Sequence, residues 1–177
     1  LGAELDSLAD FVNFGVAPGL ILYMSIMHER DFVGSIAVLI YILFSCIRLA
    51  IFNLDSEDQS SEKSGFFMGI PTPVGAVLIL LPVTHTFIGF DWASENINLV
   101  AIYTVLIGAL LISRVPTYSS KREKLKLKKN NYVIFLILFT LVILGLINFL
   151  WISLTLLSAL YILSIPFSLR AWKNQKS

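Results

Sequence analysis

Near the start of the chain, Asp6 and Asp10 stand four residues apart, and Gly2 stands four residues before Asp6. On a helix of about 3.6 residues per turn, positions spaced in this way share one face, with neighbouring Cβ atoms about 6 Å apart. Two carboxylates stacked on one face repel each other and cost about 0.2–0.5 kcal/mol of helix stability. A divalent cation between them turns the repulsion into coordination, because carboxylate oxygens suit hard ions. A glycine on the same face removes a side chain and lets a ligand approach the backbone. The alternative is a pair of solvated acids at a helix start, favoured there by the helix dipole. Spacing alone leaves both open.

Other polar residues stand at the ends of apolar runs. Arg48 lies in the segment LFSCIRLAIFN, where a charge is costly unless it is paired or functional. Its competing role is to snorkel toward lipid headgroups. Asn53 follows as a possible polar partner, and Arg114 is either a second ligand-binding cation or a topology anchor. His85 is flanked by Thr84 and Thr86 with no acid nearby, which points to a hydrogen-bonded structural histidine; His28 is expected to be solvated. The single cysteine, Cys46, allows neither a disulfide within the chain nor a cysteine zinc site. Pro18, Pro71 and Pro73 are expected to shape helix ends and kinks.

These residues must be positioned by elements of unusual composition. The chain has 177 residues, 56% of them hydrophobic and only 14% charged. Soluble domains carry about 25% charge, so a soluble enzyme, a disulfide-stapled secreted scaffold and a nucleic-acid-binding domain are all excluded. About six apolar runs reach spanning length: Phe11 to Met27, Phe32 to Phe52, Pro71 to Phe90, Ile97 to Ser113, Tyr132 to Ile147 and Phe149 to Ser168. The fold expected is an all-α, polytopic transmembrane helix bundle. The last two runs form one apolar stretch of 37 residues, too long for a single crossing, with a tight turn expected at Asn148. No secretory signal peptide, internal repeat or low-complexity tract is visible.

Two polar stretches separate the runs. Asp55 to Ser64 has no apolar periodicity and is expected to be a mobile loop. Lys121 to Asn131 is strongly basic and suits contact with anionic lipid heads. With the chain start on the cytoplasmic side, 12 of the 13 Lys and Arg residues fall on that side and only Arg30 falls outside. Such asymmetry sets orientation in membrane proteins, and it puts the two aspartates at the cytoplasmic mouth of a span.

The opening residues GAELDSLAD fit G-x-x-x-D-x-x-x-D, the second half of a longer signature, D-x-x-D-G-x-x-A-R, spacer, G-x-x-x-D-x-x-x-D. In this the chain resembles the CDP-alcohol phosphatidyltransferase family. The segments DSLADFVNFGVAPG (Asp6 to Gly19), RLAIFN (Arg48 to Asn53), FFMGIPTPVGA (Phe66 to Ala76) and SRVPTYS (Ser113 to Ser119) resemble its serine-using branch, the bacterial-type phosphatidylserine synthases. Ile51 departs from the branch pattern R-L-A-R-F-N, where a second arginine stands. The likeness extends over residues 1–120, expected as the C-terminal part of the family core. Residues 121–177 would then add the basic loop and a C-terminal transmembrane hairpin.

The resemblance implies an integral membrane enzyme that moves a phosphatidyl group from CDP-diacylglycerol to an alcohol and releases CMP. It implies Asp6 as a metal ligand, Asp10 as general base and possible second metal ligand, and Gly2 as the residue that leaves room beside the nucleotide. Arg48, Asn53 and Arg114 become candidates for holding serine or phosphate. The cofactor would be Mg²⁺ or Mn²⁺, the alcohol L-serine, the assembly a homodimer, and the location a bacterial-type cytoplasmic membrane with the site facing the cytoplasm. The first half of the signature would precede Leu1, so the resemblance implies a truncated chain with little turnover by itself. Ser7, between the aspartates, marks the branch without an assigned chemical role. The competing readings are a sister enzyme that uses glycerol 3-phosphate or inositol phosphate, and a non-enzymatic membrane protein or transporter. A transporter would place polar groups at the midplane of broken helices, where these runs are nearly free of charge.

Overall fold

The computed structural model describes the backbone of residues 2–57, 66–113, 116–118, 140, 143–145 and 147–176. The stretch around the aspartates folds as α1 (Gly2–Phe11) and α2 (Ala17–Ser25), joined end to end by one π-helical turn over Val12–Val16. The helix therefore starts well before Phe11, where the apolar run begins. A short 3₁₀ turn, Met27–Arg30, reverses the chain into α3 (Asp31–Glu57), which runs back antiparallel to the first helix.

The apolar parts of these two helical segments, Glu4–Ser25 and Phe32–Leu54, have 22 and 23 residues. At about 1.5 Å per residue each measures roughly 33–35 Å, enough to cross a hydrocarbon core of about 30 Å. Only 22% and 28% of their most apolar windows are buried within the protein. Leu20, Met24, Leu39, Leu43 and Ile47 stand outward. An apolar helix that points most of its side chains out of the protein suits lipid as solvent, not a watery surface.

The run from Pro71 to Phe90 does not form one helix. It divides at Leu80 into α4 (Thr72–Ile79) and α5 (Leu81–Phe87). The cause is Pro82, whose ring has no N–H to give to the carbonyl of Leu78 four residues earlier. Tyr103 makes good the loss, donating its hydroxyl to Leu78 O at 2.6 Å. The same solution appears at the π turn. Pro18 cannot donate to Phe14, and the Tyr41 hydroxyl donates to Phe14 O at 2.8 Å. In a bilayer, a carbonyl freed by proline has no water to turn to, so a side chain from a neighbouring helix must serve it.

After α6 (Trp92–Glu95), α7 (Ile97–Ile112) packs along α3. The core lies between these helices and α2 and α4, around Leu22, Met27, Tyr41, Ile70, Leu78, Ile79, Val100 and Leu111. His85 on α5 accepts a hydrogen bond from Trp92 Nε1 at 3.0 Å, the structural role its neighbours suggested. Two three-residue strands, β1 (Phe66–Met68) and β2 (Pro116–Tyr118), pair antiparallel with Phe67 opposite Thr117. Beyond β1 the chain turns through Gly69 at φ +80, where a Cβ would meet Leu111 O at 2.6 Å and Ser113 O at 2.8 Å. Only glycine fits that approach.

The C-terminal helix, Leu150–Lys176, packs on α5, α4 and β2. Trp151 stacks on Phe87 with ring centroids 4.3 Å apart, so the helix starts at the end of the bundle away from the aspartates and returns toward β2. The helix is interrupted beside Asn148, where the turn was expected: Phe149 stands in a turn and the C-terminal helix begins at Leu150. Phe149 N–H bonds Gly145 O at 2.9 Å on one side of the break, and Ser153 N–H bonds Phe149 O at 2.8 Å on the other. Asn148 donates its side-chain amide to Leu144 O at 2.8 Å. Most of the expected span Tyr132 to Ile147, the basic stretch Lys121 to Asn131 and residues 58–64 of the polar loop lie outside the described residues. Residues 55–57 continue α3.

Candidate functional site

Because α1 and α3 run antiparallel, the start of the chain meets the end of α3. Asp6, Ser7 and Asp10 from α1 and Arg48, Leu49, Phe52 and Asn53 from α3 enclose a cleft of about 290 Å³, closed on its third side by Pro71, Thr72 and Pro73. Pro71 holds an extended backbone (φ −59, ψ 139) just before α4 and Pro73 sits in the first turn, so a rigid helix start forms this wall. The π turn begins two residues after Asp10. At its end, a Cβ on Gly15 would lie 2.7 Å from Ser45 Oγ, so the close approach of α3 depends on glycine there.

Asp6 is exposed and Asp10 is half-buried on the same face of α1, the arrangement their spacing predicts. Arg48 is buried, at 7% exposure, and does not extend outward as an interfacial anchor would. Its Nε donates to Ile70 O at 3.4 Å, and its guanidinium carbon lies 6.0 Å from the centroid of the Phe52 ring. The arginine thus ties α3 to the turn at Gly69–Pro71 while it lines the cleft. Asn53 Nδ2 donates to Ser7 Oγ at 3.0 Å, and Ser7 Oγ stands 3.3 Å from Asn53 Oδ1.

Of the residues singled out in the sequence, the cleft brings together Asp6, Asp10, Arg48 and Asn53. Gly2 does not line it; a Cβ there would meet nothing within 4 Å. Arg114 lies outside the described residues. Sequence reasoning gave no role to Ser7, although its position three residues before Asp10 puts it on the same side of the helix. Phe52 and Thr72 entered the site unannounced, and Pro71 and Pro73, expected only to shape helix ends, line it as well.

Two carboxylates from one helix face suit a divalent cation, which Mg²⁺-type sites complete with phosphate oxygens from substrate. Among the described residues no group of three or more His, Cys, Asp and Glu side chains converges, so the donor set stops at Asp6 and Asp10. A larger recess of about 800 Å³ at the opposite end holds Glu29, Glu95, Asn96 and Asn98, but it offers neither stacked carboxylates nor a basic group among its lining. The smaller cleft is therefore the one in which acid, guanidinium and amide meet.

Residues 1–107 match the family model described as CDP-alcohol phosphatidyltransferase. The chain is similar to proteins named CDP-diacylglycerol–serine O-phosphatidyltransferase from several organisms. It is 42% identical to that of Mycobacterium leprae over 120 residues, covering 66% of this chain and 39% of the relative. It is 36% identical to that of Helicobacter pylori over 143 residues, covering 80% and 57%. It is 33% identical to that of Bacillus subtilis over 116 residues, covering 65% and 57%. The chain thus spans about half the length of the curated relatives it matches.

Proposed function

Because the chain belongs to the CDP-alcohol phosphatidyltransferase family, we propose that it carries the acceptor side of a membrane-embedded active site that moves the phosphatidyl group of CDP-diacylglycerol to L-serine, giving phosphatidylserine and CMP. The observation behind this reading is the single cleft in which Asp6, Asp10, Arg48 and Asn53 converge at the end of a spanning helix. The names of the relatives supply the substrates. A lipid donor also accounts for the site lying where the apolar helix ends and not in its middle.

The chemistry follows from the residue types. A serine hydroxyl is a poor nucleophile until a base takes its proton, and the half-buried Asp10 carboxylate is the base on this reading. The serine oxygen then forms a bond to the phosphorus bearing the diacylglycerol. The bond from that phosphorus to the bridging oxygen breaks, and CMP leaves with that oxygen. Asp6 and Asp10 would hold a divalent cation, Mg²⁺ or Mn²⁺, whose charge neutralises the diphosphate. Arg48 offers a guanidinium to the carboxylate of serine, in the planar geometry that suits this pair. Asn53 offers both a donor and an acceptor. Arg114 is proposed as a further cation for substrate, and Gly2 as the residue that keeps space for the nucleotide.

On this reading, residues 1–120 form the C-terminal part of the family core, and residues 121–177 a basic cytoplasmic loop with a C-terminal transmembrane hairpin. The basic residues, 12 to 1, orient the cleft toward the cytoplasmic face of a bacterial-type membrane. The assembly is a homodimer.

The test measures CMP release in detergent with CDP-diacylglycerol and Mg²⁺ or Mn²⁺, offering L-serine, glycerol 3-phosphate or inositol phosphate one at a time. It uses the chain both as it stands and behind a segment that supplies D-x-x-D-G-x-x-A-R. Release with serine alone, lost on chelation, is the expected result. Release with another alcohol would retain the family chemistry and overturn the serine assignment; release with none would overturn the reading.

A further inference from the structure

The hydrogen bonds between Ser7 and Asn53 join two residues that are 46 positions apart and sit on different helices, yet both line the cleft of the aspartates. The bonds are exposed at the mouth of the site, with Ser7 half-buried and Asn53 exposed. A polar pair buried in the bundle would be required simply to satisfy its own groups. A pair at the wet mouth has water as an alternative, so satisfaction of polar groups does not explain it. What the pair does accomplish is geometric. Asn53 is the last cleft residue on α3, where an amide held only by its own χ angles would rotate among several orientations. The Ser7 hydroxyl, within hydrogen-bond distance of both amide atoms, restricts that freedom and holds the Asn53 side chain against α1 at the cleft.

Position gives this a chemical meaning. Ser7 lies one residue after Asp6 and three before Asp10, so its Cβ stands about 5–6 Å from that of the base on the helix face, and it holds the amide at the same cleft. An acceptor with its hydroxyl at Asp10 must extend its remaining groups across that distance. Arg48 lends the cleft a cation, and the Ser7–Asn53 pair lends it a neutral donor and acceptor. That division matches a zwitterion, carboxylate to the guanidinium and ammonium to the amide oxygen. Resting on the functional reading above, we propose that Ser7 is a positioning residue that fixes Asn53 toward the ammonium of the acceptor, and so helps select a small amino-acid alcohol.

The test is steady-state kinetics of the chain behind a segment that supplies D-x-x-D-G-x-x-A-R, varying L-serine and CDP-diacylglycerol separately. Ser7→Ala is expected to raise the KM for serine five- to tenfold and to leave that for the lipid donor within twofold. Ser7→Thr, which keeps the hydroxyl, should restore most of the loss. Ser7→Ala combined with Asn53→Ala should be no worse than Asn53→Ala alone, since the serine acts only through the amide. Should Ser7→Ala fail to extract as folded protein, Ser7→Cys keeps the volume with a weak donor and carries the same expectation. An unchanged serine KM, an equal rise in both KM values, or additive effects in the double variant would each overturn the proposal. Loss of serine-dependent CMP release in the unsubstituted chain would overturn the functional reading and this proposal together; release with an unmoved KM would overturn the role of Ser7 alone.

Discussion

Asp10 and Arg48 share one cleft but fail in different ways when replaced. Asp10→Asn keeps the shape of the side chain and removes its basicity, so turnover should fall by about 10²–10⁴-fold with membrane insertion intact. Activity near that of the unsubstituted protein would remove the base assignment. Arg48 holds the Ile70 carbonyl as well as lining the site, so its loss has two expected signatures. Arg48→Ala should raise the serine KM about 10–100-fold, the range of a lost charge-assisted hydrogen bond, with much less change for the lipid donor. It should also lower the Tm, because the turn at Gly69–Pro71 loses its tie to α3. A lower Tm with an unmoved serine KM would leave Arg48 as a strut only. At this scale the sequence was legible where contacts are local: the shared face of Asp6 and Asp10 follows from their spacing. The partner of Ser7 was not, because Asn53 reaches it only after the chain has crossed, turned and returned.

At the scale of elements, hydropathy located the helices and missed their interruptions. The run Ile97 to Ser113 became α7 almost residue for residue. The run Pro71 to Phe90 was apolar throughout, and nothing in its composition separates a straight helix from one broken at Leu80. The two interruptions share a device, a tyrosine from another helix serving the carbonyl that a proline has stranded. Tyr41→Phe and Tyr103→Phe should each cost about 1–3 kcal/mol, the penalty for leaving a buried carbonyl bare. They should differ in activity. Tyr41 steadies the turn directly beyond Asp10, and its loss should lower kcat; Tyr103 acts outside the cleft, and its loss should not. Thermal unfolding in detergent, paired with CMP release, separates the two, and equal effects on kcat would deny the π turn any part in holding Asp10.

The whole molecule departs from the pattern of soluble proteins: a row of large apolar side chains on α3, Leu39, Leu43 and Ile47, points out of the protein, while Tyr41 on the same helix is buried. Lipid must cover them if the fold is to be stable in isolation from other chains. Cys46 lies among them and is exposed, which makes it a reporter already built into the chain. A membrane-impermeant maleimide labels an exposed thiol rapidly in water but needs thiolate and water at the sulfur. In intact membranes Cys46 should therefore resist the reagent and should react only after denaturation. Rapid labelling before denaturation would mean that the outward face of α3 is wet, and the bundle would not be a membrane protein of this topology. With Cys46→Ser as background, orientation can be read in the same way. His28→Cys lies between α2 and α3, at the end opposite the aspartates, and should label from outside intact cells. Ser60→Cys belongs to the polar stretch after α3 and should label only in inverted vesicles. The reverse pattern would turn the cleft outward, away from a cytoplasmic supply of serine and CDP-diacylglycerol, and the proposed reaction would lose its substrates even with every residue of the site in position.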